Sequence, residues 1–202
     1  MSWATAAVSG DIMSNGKQSD FDILMSYNID IRSRTIYLDD DIDENSASVF
    51  IKCLRYLDKT AGDITIIMNC EGGCVTNGFA MYDVIKACQN EITIKVVGCA
   101  MSMATIVLQA ADKRIMSPNA RLMIHVGGME IGGHFNNVKR AVQENAALDK
   151  MCVDIYLEKI KESNPDFKRS QLQKLLDFDT YISAQRCLEL GLIDEIDGED
   201  QE

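Results

Sequence analysis

The chain has 202 residues, 47% of them hydrophobic and 25% charged, the proportions of a globular domain long enough to bury one full core. Its formal net charge is −11, gathered at Asp39–Asp41, Asp43 and Glu44 and again over 194–202; with no basic run to meet phosphates, nucleic acid is excluded as a main partner. No stretch approaches the ~18 apolar residues of a membrane span, and no basic–apolar leader opens the chain, so neither a membrane nor a secretory signal is expected.

Residues 1–30 are expected to be a mobile arm, since the chain is Ser-, Ala- and Gly-containing and aperiodic up to about Ser19. Thr35 to Leu38 reads as a short strand. Asp43 to Ser46 supplies helix N-cap chemistry, and Phe50, Cys53, Leu54 and Leu57 follow at helical spacing. Ile64 to Met68 is a buried strand broken by Gly72-Gly73. Met81, Val84, Ile85 and Cys88 mark a helix, and Ile92 to Val97 is a second buried strand ended by Gly98. Met101 to Ala111 reads as a buried helix, then Arg114 to Met116 and Leu122 to Val126 as strands. After a glycine-rich break comes the longest helical candidate, Asn136 to Lys161, with Val138, Val142, Leu148, Cys152, Ile155 and Ile160 on one broad face. Asn164-Pro165 reads as the start of another helix. Ser183 caps a short helix stopped by Gly191, and Leu192-Ile193 reads as a closing strand. Strands alternating with helices predict a single α/β domain of parallel βαβ units over 31–196, with 197–202 as an acidic tail.

The seven cysteines, an odd number spread over apolar patterns, suit reduced thiols in a cytoplasmic protein rather than a disulfide framework. Cys70, Cys74 and Cys99 fit no common zinc spacing and no His joins them, so no metal is expected. Of the two histidines, His125 ends an apolar strand, where α/β folds place their crevice, and His134 is expected in a solvent-facing loop. Ser102 stands where a strand ends and an apolar helix begins. It is either a helix cap or a hydroxyl beside free amides able to hold an oxyanion. Gly72-Gly73 is either a tight turn or a backbone passing close to a ligand.

Taken together, these segments resemble the proteolytic subunit of the Clp protease family over roughly Ile31 to Ile196. Asn69-Cys70-Glu71-Gly72-Gly73 is similar to that family's Asn-Ser-Pro-Gly-Gly turn. Gly98 to Ala104 is similar to its Gly-x-Ala-x-Ser-Met-Gly nucleophile motif. Arg114, Pro118 and Leu122-Met123-Ile124-His125 follow its histidine signature. Asp179-Thr180-Tyr181-Ile182-Ser183-Ala184 resembles its Asp-x-Phe-x-Ser-Ala segment, and Gly191-Leu192-Ile193-Asp194 its C-terminal strand. The resemblance implies a crotonase-like spiral of ββα units with a long handle helix. It implies Ser102 as nucleophile, His125 as base and Asp179 as a buried third member, with the amides of Gly73 and Met103 as oxyanion hole and no cofactor. It further implies a serine endopeptidase acting on unfolded polypeptides inside stacked seven-membered rings, with an AAA+ unfoldase as partner. The chain departs from the pattern at Glu71 (in place of Pro), Ala104 (Gly), Val126-Gly127 (Gln-Pro) and Phe178 (Arg), as a divergent member would. A non-catalytic ring subunit, a crotonase-type acyl-CoA enzyme and a phage-type head-maturation peptidase are the competing readings.

Overall fold

A computed structural model describes residues 19–128 and 130–198; residues 1–18, most of the expected arm, and 199–202 of the acidic tail lie outside them. The arm's remainder is built into the fold. Ser19 caps α1 (Asp20–Tyr27) through a reciprocal bond pair with Asp22, and β1 (Ile29–Asp30) then pairs antiparallel with β2 (Thr35–Leu38).

Asp43 and Ser46 cap each other at the start of α2 (Glu44–Leu57), satisfying amides that have no intrahelical partner. Phe50, Cys53, Leu54 and Leu57 line its buried face at the predicted spacing. β3 (Ile64–Cys70) and β4 (Ile92–Met101) form the centre of the sheet, flanking α3 (Val75–Lys86) in sequence. From Ile64 to Met68 and from Ile92 to Val96 every second residue is fully buried, so Ile64, Ile66, Met68, Ile92, Ile94 and Val96 make one continuous apolar layer. β2, β3, β4 and β5 (Lys113–Met116) run parallel, and β8 (Glu195–Ile196) closes that edge. β6 (Arg121–Ile124) leaves this path to pair with β4 and, antiparallel, with β7 (Thr180–Ser183).

Several predicted boundaries move, each for a physical reason. β4 does not stop at Gly98 but bends there. The helix expected over 101–111 is only α4 (Met103–Leu108), because Ser102 has a positive φ that no helix accommodates. Asn164 does not start a helix. It caps the C-terminus of α5 (Phe135–Ser163) while its side-chain amide donates to the carbonyls of Glu189 and Leu190. The next helix, α6 (Arg169–Leu176), begins only at Lys168. Ser183 and Gly191 do bound α7 (Ala184–Leu190) as read. The closing strand is β8 rather than Leu192-Ile193, which are buried in the turn before it. In α5, 29 residues long, only Tyr156 and Ile160 are fully buried. Among the described residues its N-terminal turns pack on no core, and Phe135 and Val142 stand exposed. Among the described residues no helix is long and apolar enough to cross a membrane.

Candidate active site

The site is assembled where β4 changes partners. Up to Val96 the strand pairs with β5; from Cys99 to Met101 it pairs with β6. Gly98, at φ +85°, makes the bend, and a Cβ there would stand 2.4 Å from Asn69 Oδ1. Asn69 Oδ1 accepts from the Cys99 amide at 3.1 Å and so holds the bent segment. The Ser102 amide then donates to the Met123 carbonyl at 2.8 Å, fixing Ser102 beside the end of β6. Ser102 has φ 49° and ψ −124°, a backbone state that costs roughly 1–3 kcal/mol and persists only where surroundings impose it. Its hydroxyl makes no capping bond to α4. Instead Oγ lies 2.8 Å from His125 Nε2, which sets the helix-cap reading aside.

The register of β6 and β7 supplies the third group. Ile124 is paired with Thr180 in an antiparallel ladder, so the next residue of one strand, His125, faces the preceding residue of the other, Asp179. The His125 Nδ1 to Asp179 Oδ1 distance is 3.0 Å. With Nδ1–H donating to Asp179, Nε2 is left to accept from the Ser102 hydroxyl. The Asp179 side chain is 62% exposed and the imidazole 25%, so the carboxylate is not the buried one expected. Among the described residues of this chain no element covers it.

Gly72 and Gly73 lie against this line. Ile42 donates to the Gly72 carbonyl at 2.6 Å and accepts from the Cys74 amide at 2.7 Å. In such a parallel bridge the intervening residue turns its own groups the other way, so the Gly73 N–H points from Ile42 toward the β4 side. Gly72, at φ +99°, is packed so tightly that a Cβ would stand 3.0 Å from both the Met103 amide nitrogen and Ser102 Cβ. The Met103 amide opens α4 and has no i−4 acceptor. The Gly72-Gly73 turn and the Met103 amide thus lie beside Ser102.

Between α4 and α5 a narrow cleft of about 40 Å³ includes Ser102 and His125 and is walled by Met103, Ile106, Asp149 and Cys152. Burial raises the Asp149 carboxyl above the usual carboxylate range and pushes the Cys152 thiol up to about 11. Tyr156, at the buried end, shares a short hydroxyl bond with Thr105 of α4. Sequence reasoning missed Asp149 and Gly78. A Cβ on Gly78 of α3 would meet Met103 Cγ at 2.2 Å. Nothing local marks either residue, because each acts through a partner distant in sequence.

Arg114, part of the histidine signature, is a structural clamp. It is 3% exposed, forks onto Asp194, and donates to Gln109 Oε1 at 2.6 Å and to the Gly191 carbonyl at 3.0 Å. His134 is exposed and precedes α5. Cys70 is buried, Cys99 half-buried and Cys74 exposed. Among the described residues no three His, Cys, Asp or Glu side chains converge to hold a metal ion.

An α/β sheet that presents a hydrogen-bonded Ser–His–Asp line where a helix begins has the make-up of a serine hydrolase. The model of the Clp protease family matches residues 17–200. The ATP-dependent Clp protease proteolytic subunit 1 of Protochlamydia amoebophila is 33% identical over 171 residues, covering 81% of this chain and 80% of that protein. The protein of the same name from Chlamydia muridarum is also 33% identical, covering 81% and 86%. The ATP-dependent Clp protease proteolytic subunit of Deinococcus radiodurans is 29% identical over 170 residues, covering 82% and 81%. The chain belongs to the Clp protease family, as a divergent member, and is a serine-type peptidase.

Proposed function

We propose that Ser102 attacks the carbonyl carbon of a peptide bond while His125 Nε2 takes its proton. Asp179 holds the imidazole tautomer and stabilises the imidazolium that forms. The Gly73 and Met103 amides bind the developing oxyanion. The tetrahedral intermediate collapses as His125 gives its proton to the leaving amine, and a water, deprotonated by His125, then releases the acyl group from Ser102. The observation that carries this reading is the unbroken line from Ser102 Oγ through His125 to Asp179, at 2.8 and 3.0 Å.

The substrates are unfolded polypeptides, cut inside a closed assembly of stacked seven-membered rings fed by an AAA+ unfoldase in the cytoplasm. This finer reading is supported by the names of the relatives, which are ATP-dependent proteolytic subunits. It is also supported by apolar surface unused within one chain: Phe135 and Val142 on α5, and Phe178 and Tyr181 beside Asp179, are all exposed. A neighbouring subunit packed there would also cover Asp179. An intact hydrogen-bonded triad speaks against a non-catalytic ring subunit.

Ser102→Ala is expected to lower peptide hydrolysis by at least ~10³-fold and to abolish labelling by a fluorophosphonate, with assembly unchanged. Labelling or substantial hydrolysis by this variant would overturn the assignment. Efficient degradation of a folded protein by the particle alone, without an ATPase, would overturn the closed chamber and favour a head-maturation type of peptidase.

A further inference from the structure

The cleft beside Ser102 has a chemical polarity that the triad does not explain. Its α5 wall is a single stripe of residues about one turn apart: Asp149, then Cys152 and Val153, then Tyr156. Tyr156 is buried at the closed end, and Asp149 stands at the more exposed end. Met103 and Ile106 of α4 form the opposite wall. The tube is thus apolar along its length, with one carboxylate near its mouth; among the lining residues Asp149 is the only carboxylate. One of its oxygens is held: Asn145 donates to Oδ2 at 3.2 Å. Gly127 lies beside the other, since a Cβ there would stand 3.5 Å from Oδ1. The nearby cations are engaged elsewhere, since Lys150 and Arg169 both pair with Asp154. The volume of about 40 Å³ holds about three waters, which suits a slender unbranched side chain and not an aromatic ring.

Resting on the peptidase reading above, we propose that Asp149 is a specificity-determining residue. It selects a slender cationic side chain, lysine above all, on the acyl side of the scissile bond, and rejects aspartate and glutamate there. The methylenes of lysine lie against Met103, Ile106 and Cys152, and its ammonium turns back to the carboxylate near the mouth, a partly desolvated site where opposite charge attracts strongly. A carboxylate substrate side chain meets a fixed like charge in the same place.

The test uses the full-length assembled protein and fluorogenic peptides that differ only at that one residue: lysine, norleucine, glutamine or glutamate. Asp149→Asn keeps the size of the side chain and an acceptor oxygen for the Asn145 amide while removing the charge. Glu158→Gln, an exposed site on the same helix, controls for net charge. The expected result is a lysine-to-norleucine ratio of kcat/KM that falls at least about tenfold in Asp149→Asn and not in Glu158→Gln. Glutamate is expected to be cut at least about tenfold more slowly than glutamine by the parent, a gap that narrows in Asp149→Asn. Ratios unchanged by Asp149→Asn would overturn the proposal while leaving the peptidase standing, provided the fluorophosphonate still labels Ser102. Should that variant not fold, the parent alone decides: glutamate cut as well as glutamine also overturns it. A parent that neither cuts any of the peptides nor takes the label overturns the peptidase reading itself, and this proposal with it.

Discussion

Gly78 lies on α3, outside every catalytic motif, yet replacing it with alanine is expected to damage catalysis more than stability. The added methyl would stand 2.2 Å from Met103 Cγ and 2.7 Å from Met103 Cε. Ordinary carbon contacts lie near 3.5–4.0 Å, so Met103 must give by roughly 1.5 Å. Cγ is only one bond from Cβ, so bending the chain's end does not relieve the clash. Met103 either changes rotamer into the cleft that it walls or moves its backbone, and with it the amide facing the oxyanion. Overpacking costs about 1–3 kcal/mol, and alanine returns about 1 kcal/mol in helix propensity, leaving a net loss of about 0–2 kcal/mol. A displacement of about 1 Å in catalytic geometry costs on the order of 10²-fold in rate. Gly78→Ala is therefore expected to lower kcat/KM on a short fluorogenic peptide by about 10²-fold while the thermal midpoint falls by only a few degrees. Adding Met103→Ala should recover part of the loss, because it removes the colliding atoms and leaves the amide in place. A single variant within about threefold of the parent in kcat/KM, or a double variant worse than the single, would show that the Gly78–Met103 contact does not set the site.

Arg114→Ala is expected to destabilise the fold by about 3 kcal/mol, the lower end for breaking a buried pair, since water can reach the partly exposed Asp194; urea unfolding measures it, and Arg114→Lys should not restore the forked contact. Among the thiols, Cys74 is held below the usual cysteine range by bonds from Thr76 and the Asn77 amide, whereas burial pushes Cys70 up to about 11 and Cys187 to about 12. A lower pKa means more thiolate at a given pH, so at mildly alkaline pH iodoacetamide should modify Cys74 first, read by peptide mass; earlier modification of Cys70 or Cys187 would contradict this. Phe178, 79% exposed beside Asp179, stands where the family resemblance expects arginine. If it packs between rings, covering it contributes about 1.5–3 kcal/mol of apolar burial. Particle mass by light scattering should then be insensitive to salt in the parent and fall in Phe178→Ala.

Local sequence was enough to name the groups. Alternating burial in Ile64–Met68 and Ile92–Val96, the Asp43 cap with its apolar stripe in α2, and the Ser183–Gly191 bounds of α7 are written in residues that are neighbours in the chain. Four of the five family-like segments carried Ser102, His125, Asp179 and Gly73 because each contains residues with an unusual backbone or chemical demand. What the chain order did not contain was pairing. That β4 bends at Gly98 and exchanges β5 for β6, and that Ile124 falls opposite Thr180, decide whether Ser102, His125 and Asp179 touch at all. Asn164 reads as a helix start until the carbonyls of Glu189 and Leu190 claim its amide. Arg114 reads as part of a catalytic signature until Gln109, Gly191 and Asp194 surround it. Gly78 and Asp149 carry no mark in sequence, because a missing methyl or a lone carboxylate acquires meaning only from the atoms that face it. Those atoms, Met103 in one case and the cleft beside Ser102 in the other, are supplied by segments that only the tertiary fold brings alongside.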